Sequence, residues 1–335
     1  MIARRLRASL KGWGGVGAML VACVLAVGFA LLLPLTHPRP SGDSADAGGP
    51  GIAEATQAKA ESCGQHPERM SPPPSSDESG HAVTRIKTNG YLTVGVDQNS
   101  YRWGYRDPNK KGSDLEGFDI DVAHEIARQI LGNPDAVHFR AIPTNQRIPA
   151  LQNKQVDMVV RTTTITCDRL AKVAFSDPYF TTGQQVLAPK ASGITGYDNS
   201  LAGKRICSAE GSTAAAALTQ DKQSGKLPAS TDISTTVPNQ LDCLVKLQLG
   251  EVDAVVTDGA LAASQAAQDP TVELKGKPFT TEYYGVAFNQ DDGDLVRRVN
   301  QVLVDYRKSG WQASYDKWLS PTLGADSTSS RPPST

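Results

Sequence analysis

The stretch Val156–Tyr179, VDMVVRTTTITCDRLAKVAFSDPY, packs a strand, a polar tip and a helix start into one run. Val156, Met158, Val159 and Val160 form a short apolar segment of the kind that becomes a strand buried on both faces. It stops abruptly at Arg161-Thr162-Thr163-Thr164, a tip rich in hydrogen-bond donors. Thr166 is placed to cap a helix whose first turn holds Cys167, Asp168 and Arg169. Asp168 suits the positive end of that helix, but Arg169 does not, because cations favour the opposite end. A guanidinium held there is explained by an anion that it shares with free backbone N–H groups. The other reading is a surface Arg169 paired with Asp168 or Asp177.

Toward the N-terminus, Val83–Thr88 reads as a short helix, Asn89-Gly90 as a turn and Tyr91–Val96 as a strand ending at Asp97. Gly117–Val122 leads into a helix through Leu131, with Ile120, Ala123, Ala127 and Ile130 on one face. Val137–Ile142 is the next strand. Asn145, able to bond a ligand or its own helix, precedes a short helix carrying Ile148, Ala150 and Leu151. This βαβαβ alternation predicts a parallel sheet covered by helices.

Leu151–Val160 is echoed by Leu247–Val256 at six of ten positions, each copy a helix end followed by a buried strand. Two α/β lobes are therefore expected. The first copy exits into Arg161-Thr162 and the second into Thr257-Asp258, and ligands of open α/β sheets bind beyond the carboxyl ends of strands. Facing one crevice, Asp258 offers an anion to an ammonium and Arg169 a cation to a carboxylate. A free amino acid carries both groups. Val186–Pro189 reads as the crossover into the second lobe, Arg205–Ser208 as a strand and Glu210-Gly211-Ser212-Thr213 as a turn into a helix. The chain returns near Tyr283–Phe288, and a final helix over Leu295–Ser309 is followed by Trp311, Tyr315 and Trp318 as packing anchors.

The formal net charge of -1 over 335 residues, with both signs spread along the chain, argues against a nucleic-acid partner. The five Cys contain no C-x-x-C, the five His are scattered, and neither a metal nor a cofactor is expected. Arg4, Arg5, Arg7 and Lys11 precede 23 uncharged residues, Trp13–Leu35, long enough to span a bilayer with the N-terminus in the cytoplasm. Leu20-Val21-Ala22-Cys23 offers the alternative of cleavage and lipidation at Cys23, although Val24–Leu35 stays apolar. Both readings put the folded part on the outer face of the cell membrane.

The expected organisation is a basic cytoplasmic segment (1–12), a transmembrane helix (13–35) and a flexible tether (36–82). A first lobe (83–187 and 282–320), a second lobe (188–281) and a disordered tail (321–335) follow. Four Cys then lie in an oxidising compartment. Cys207–Cys243 is the simplest bridge within the second lobe, and Cys63 and Cys167 either pair, fastening the tether, or stay free.

The order T-x-T-x-x-R followed by F-S-x-P-Y resembles the signature of extracytoplasmic amino-acid-binding proteins, the polar amino-acid family of type II periplasmic binding proteins. The resemblance covers about Val83 to Leu319, with GFDIDV-like and RIPAL-like segments in the same order. It implies two Rossmann-like lobes that close about a hinge over one amino acid, with Arg169 gripping the α-carboxylate. Thr164 of the same motif and Thr162 just before it join the candidate ligand contacts. The turn Gly211-Ser212-Thr213 matches the family's G-T or G-S turn, which meets the carboxylate from the second lobe. An aromatic after the first strand stacks on the ligand in the family, and Trp103, then Tyr101, is the match here, each equally an ordinary packing residue. Asp97 either lines the cleft or caps a turn.

Arg161 departs from the family, where a small residue often stands. A second guanidinium beside Arg169 calls for a ligand with two negative groups, glutamate or aspartate, with glutamine or asparagine next. Otherwise Arg161 reaches solvent or pairs with an acid such as Asp121. Together with Cys207 and Cys243, these features look most like the actinobacterial glutamine- or glutamate-binding proteins. The implied function is a monomeric cell-surface binding protein that presents an amino acid to an ABC permease or a transmembrane sensor. An extracytoplasmic dehydratase-like enzyme on the same fold is the alternative, opposed by the lack of a His or Cys beside a base.

Overall fold

The computed structural model describes residues 63–64, 66–112 and 114–333. The expected anchor helix over 13–35, the Cys23 alternative and the first part of the tether lie outside the described residues. Among the described residues no helix is long and apolar enough to cross a membrane.

The chain enters the first lobe through α1 (His81–Asn89), stopped by Gly90 at a φ of +76°, where glycine costs least. Then come β1 (Leu92–Val96), a small ribbon of β2 (Asn99–Ser100) and β3 (Gly104–Tyr105), α2 (Phe118–Leu131), β4 (Val137–Ala141), α3 (Arg147–Gln152), β5 (Met158–Val159), α4 (Cys167–Leu170) and β6 (Ala174–Thr182). The second lobe holds β7 (Gln184–Pro189), β8 (Arg205–Ala209), α5 (Thr213–Gln223), β9 (Asp232–Val237), α6 (Gln240–Gln248), β10 (Ala254–Asp258), α7 (Gly259–Ala266) and β11 (Val272–Lys275). The return is β12 (Glu282–Phe288), followed by α8 (Gly293–Ser309), α9 (Trp311–Trp318) and α10 (Ser320–Leu323).

The two sheets have the orders β4-β1-β5-β12-β6 and β11-β7-β10-β8-β9. In the first, β1 runs parallel to β4 and β5, while β12 is antiparallel to β5 and β6. In the second, β8 is parallel to β9 and β10, and β7 is antiparallel to β10 and β11. Each sheet is thus mixed, not wholly parallel, because the strands that bring the chain into a lobe run against those built by βαβ crossovers. Met158 and Val160 pack into one core of the first lobe and Val159 into the other, which is why the run Met158-Val159-Val160 is apolar without alternation. Each such buried side chain contributes about 1.5 to 3 kcal/mol.

The crossover lies earlier than Val186–Pro189, which belong to β7 inside the second lobe's sheet. The chain passes between lobes at Gly183 and returns beside it. Gln184 N–H donates to Thr280 Oγ1 (2.8 Å) and Phe279 N–H to the Gln184 carbonyl (2.9 Å). A Cβ at Gly183 would stand 2.0 Å from the Thr280 carbonyl oxygen. Gly183→Ala is therefore expected to cost about 1 to 3 kcal/mol or more, read as a lower melting temperature of the full-length chain. Unchanged melting would show that the paired crossovers can spread freely.

The described part of the expected tether is held in place. Cys63 is bonded to Cys167, the Ser71 hydroxyl donates to the Phe175 carbonyl (2.9 Å), and Asn300 Nδ2 donates to the Pro72 carbonyl (2.6 Å). Cys207–Cys243 joins β8 to α6. The expected disordered tail also packs where it is described. The Ser330 carbonyl accepts from Thr181 N–H (2.8 Å), and the Arg331 guanidinium lies 5.3 Å from the centre of a Trp311 ring.

Candidate functional site

The carboxyl ends of β5 and β10 face each other between the lobes. The loop after β5 is stitched to β12: Gly285 N–H donates to the Thr163 carbonyl (3.0 Å) and Ile165 N–H to the Tyr283 carbonyl (2.9 Å). Thr166 Oγ1 accepts from Arg169 N–H (3.3 Å), starting α4. From that turn Arg169 Nη1 donates to the Thr164 carbonyl (2.7 Å), and Nη2 crosses the cleft to the Gly211 carbonyl (3.0 Å).

A second guanidinium converges on the same oxygen. Arg147, buried at the start of α3, donates through Nη2 to the Gly211 carbonyl (3.4 Å) and through Nη1 to the carbonyls of Arg161 and Thr162 (3.3 Å each). Burial and the charges of Arg169 and Arg161 hold Arg147 well below its ordinary value. Arg169 is likewise lowered by burial, with the carboxylates of Glu282 and Asp258 opposing the shift.

Opposite them stand two buried carboxyl groups. Asp258 accepts from the Tyr284 hydroxyl (2.5 Å) and from Gln184 Nε2. Glu282 accepts from Thr164 Oγ1 (2.6 Å), Thr213 Oγ1 (2.9 Å) and Gln184 Nε2 (3.0 Å), tying together both lobes and both crossovers. Burial first, and then the charge of Glu282, push the Asp258 carboxyl up to about 8.

Thr162, Thr164, Arg169, Ser212, Thr213 and Asp258 line one space with Arg147, Gln184 and Thr257. Gly211 turns at a φ of +73°, which aims its carbonyl at both guanidiniums, and Ser212 Oγ caps α5 by accepting from Ala215 N–H (3.1 Å). Asn145 spends its Nδ2 on Glu210 Oε2 across the cleft (2.9 Å). Among the described residues no group of three or more His, Cys, Asp or Glu is arranged to hold a metal ion.

Four expected contacts stand elsewhere. Arg161 is fully buried and pairs with Asp97 (2.9 Å), which also accepts from the N–H groups of Gln98 and Asn99 and from the Ser100 hydroxyl. The physical reason is register: β1 and β5 are parallel neighbours, so their ends put Asp97 beside Arg161. Arg161 also donates to Thr144 Oγ1 (3.0 Å) and, across the lobes, to Asn239 Oδ1 (3.1 Å). Its partner is thus neither solvent nor Asp121. Trp103 is fully buried against Phe180 (4.8 Å between ring centres) and Tyr284 (5.7 Å), supporting the cleft floor from beneath instead of stacking within it. Tyr101 sits edge-on to Tyr105 and lines a separate small space with Gln240 and Gln265.

Arg147, Gln184 and Glu282 escaped the sequence reading. Arg147 opens the RIPAL-like segment, where it passes for a helix-start residue, and Glu282 is a lone charge at the head of an apolar strand.

Two lobes on paired crossovers, with cations and acids meeting between them, define a two-lobed receptor for a small solute. The chain belongs to the bacterial extracellular solute-binding proteins, family 3, whose family model matches residues 92–321. The family is one of binding proteins, and this chain is not an enzyme. It is 32% identical over 246 residues to the ABC transporter glutamine-binding protein GlnH of Bacillus subtilis, covering 73% of this chain and 87% of that one. With the glutamate-binding protein GluB of Corynebacterium efficiens it shares 29% identity over 261 residues, covering 75% and 84%. The solved structure of a solute receptor for L-cysteine of Neisseria gonorrhoeae is similar at 26% identity and a TM-score of 0.69, covering 75% of this chain and 99% of that one.

Proposed function

We propose that this chain captures one acidic amino acid, L-glutamate or L-aspartate, between its lobes at the outer face of the cell membrane and presents it to a membrane partner. One observation carries the reading. Among the described residues Arg147 and Arg169 have neutral oxygen partners only, whereas Asp258 and Glu282 are already met by Tyr284, Gln184, Thr164 and Thr213. Both guanidiniums are therefore open to an anionic partner, and Asp258, whose donors are neutral as well, to a cationic one. A ligand with two carboxylates supplies one to Arg169 and one to Arg147, and its ammonium meets Asp258. The Thr162 and Ser212 hydroxyls, which line the same space, add neutral donors. L-Glutamine offers Arg147 only an amide and is the weaker ligand. The likeness to an ABC transporter's glutamine-binding protein supports a permease as the partner, with a transmembrane sensor as the other candidate, while the anchor at residues 13–35 rests on its uncharged sequence.

Calorimetry of the full-length chain tests this. L-Glutamate or L-aspartate should bind 1:1 and more tightly than L-glutamine by about 1.5 to 3 kcal/mol, the range for hydrogen bonds to charged groups. Tighter binding of L-glutamine or L-arginine than of either acid would overturn the choice of ligand. The Asp258 carboxyl, pushed up to about 8, must ionise to meet the ammonium, so binding releases protons. Affinity is then expected to rise as pH rises from about 6 to 8, and the heat to depend on the ionisation enthalpy of the buffer. A flat profile would take Asp258 out of that role.

A further inference from the structure

Thr162 lies at a φ of +43°, left-handed backbone that a β-branched residue adopts only under compulsion. It is 5% exposed and stands where the chain leaves β5 for the loop that carries Thr164. Its N–H donates to Asp119 Oδ2 (3.0 Å), and its carbonyl accepts from Arg147 Nη1 (3.3 Å). Asp119 is 1% exposed in the first turn of α2, and its other oxygen accepts from the Tyr179 hydroxyl (2.8 Å). Both carboxylate oxygens are committed, one to the core and one to the strained residue.

The consequence for the cleft is geometric. With the left-handed turn in place, Thr162 shares the lining of the ligand space with Thr257 and Asp258 of the opposite lobe, and its carbonyl steadies Arg147. An unconstrained threonine would relax to extended or helical backbone, which redirects both its side chain and its carbonyl. We propose that Asp119 is a positioning residue for ligand capture: by accepting the Thr162 N–H it holds Thr162 in the left-handed conformation that builds the cleft floor beneath the ligand. This rests on the reading of the cleft as the amino-acid site. Burial pushes the Asp119 carboxyl up to about 7, against the hydrogen bonds from Tyr179 and Thr162, so holding this carboxylate ionised is itself unfavourable.

The test is a double-mutant cycle on the full-length chain, titrated with L-glutamate and L-glutamine. Asp119→Asn keeps one acceptor oxygen for two donors and is expected to weaken binding at least tenfold. Glycine takes a φ of this sign without strain. Hence in a Thr162→Gly background the same Asp119→Asn change should weaken binding less than about threefold, because the conformation no longer needs the bond. Tyr179→Phe, which removes the other bond to the same carboxylate, should leave affinity within about threefold of wild type, an outcome that general loosening of the core would not produce. Equal losses from Asp119→Asn in both backgrounds, or wild-type affinity in Asp119→Asn, would overturn the proposal. Should Asp119→Asn alone fail to fold by circular dichroism, the double variant decides: binding like Thr162→Gly supports the proposal, and failure to fold or bind overturns it. A wild-type chain that binds neither amino acid overturns the functional reading instead, and the proposal with it.

Discussion

Arg169→Ala is expected to weaken L-glutamate binding by about 2 to 5 kcal/mol, or roughly 30- to 4000-fold, the range for truncating one partner of a buried charged pair. The reason is that Arg169 touches both lobes from a helix start: Nη1 fixes it to the Thr164 carbonyl and Nη2 reaches the Gly211 carbonyl. A carboxylate arriving between the lobes exchanges that neutral oxygen for an anion in the same direction. Stability should change little, because the lost bonds are to neutral carbonyls and burial already disfavours the Arg169 charge. Calorimetry that finds wild-type affinity in the variant would remove Arg169 from carboxylate recognition altogether.

The second large effect is on stability and not on binding. Arg161→Ala leaves Asp97 as a buried carboxylate without its cation, and breaking such a pair costs about 3 to 5 kcal/mol. The hydrogen bonds that Asp97 keeps from Gln98, Asn99 and Ser100 favour the lower end of that range. Chemical denaturation of the full-length variant should show the loss, while the ratio of L-glutamate to L-glutamine affinity stays that of the wild type. Replacing both partners, Asp97→Ala with Arg161→Leu, should recover part of the loss because no charge is then stranded. If Arg161→Ala instead keeps its stability and loses the acidic preference, Arg161 reads the ligand side chain and its pairing with Asp97 is secondary.

These contrasting expectations for Arg161 and Arg169, on one short stretch of chain, show how far the sequence is legible. The apolar run at Val156–Val160 and its echo at Val252–Val256 announce two α/β lobes, since a buried strand and the helix before it are local patterns. Thr166 as a cap and Arg169 in the first turn are local as well. The partner of Arg161 is not local. Asp97 lies on a different strand's end, and only the register of β1 against β5 brings the two together. The same holds for Glu282, whose donors come from Thr164, Gln184 and Thr213, each in a different part of the chain. The antiparallel course of β7 and β12 is likewise hidden, because apolar content marks a strand as buried without giving its direction. Trp103 shows the same limit, since the sequence leaves a loop aromatic open between stacking on a ligand and ordinary packing until the fold closes Phe180 and Tyr284 around it.

The Cys63–Cys167 bond changes the route by which tension would travel through this molecule. A pull on the chain from the N-terminal side reaches Cys63 first and passes directly through the sulfur atoms into α4. Residues 66–80, which lead to α1 and are bonded to Phe175 and Asn300, form a second, longer route beside it. The point of mechanical attachment is therefore on the same short helix as Arg169, whose guanidinium faces the second lobe. Load thus enters the receptor beside its grip, on the first lobe.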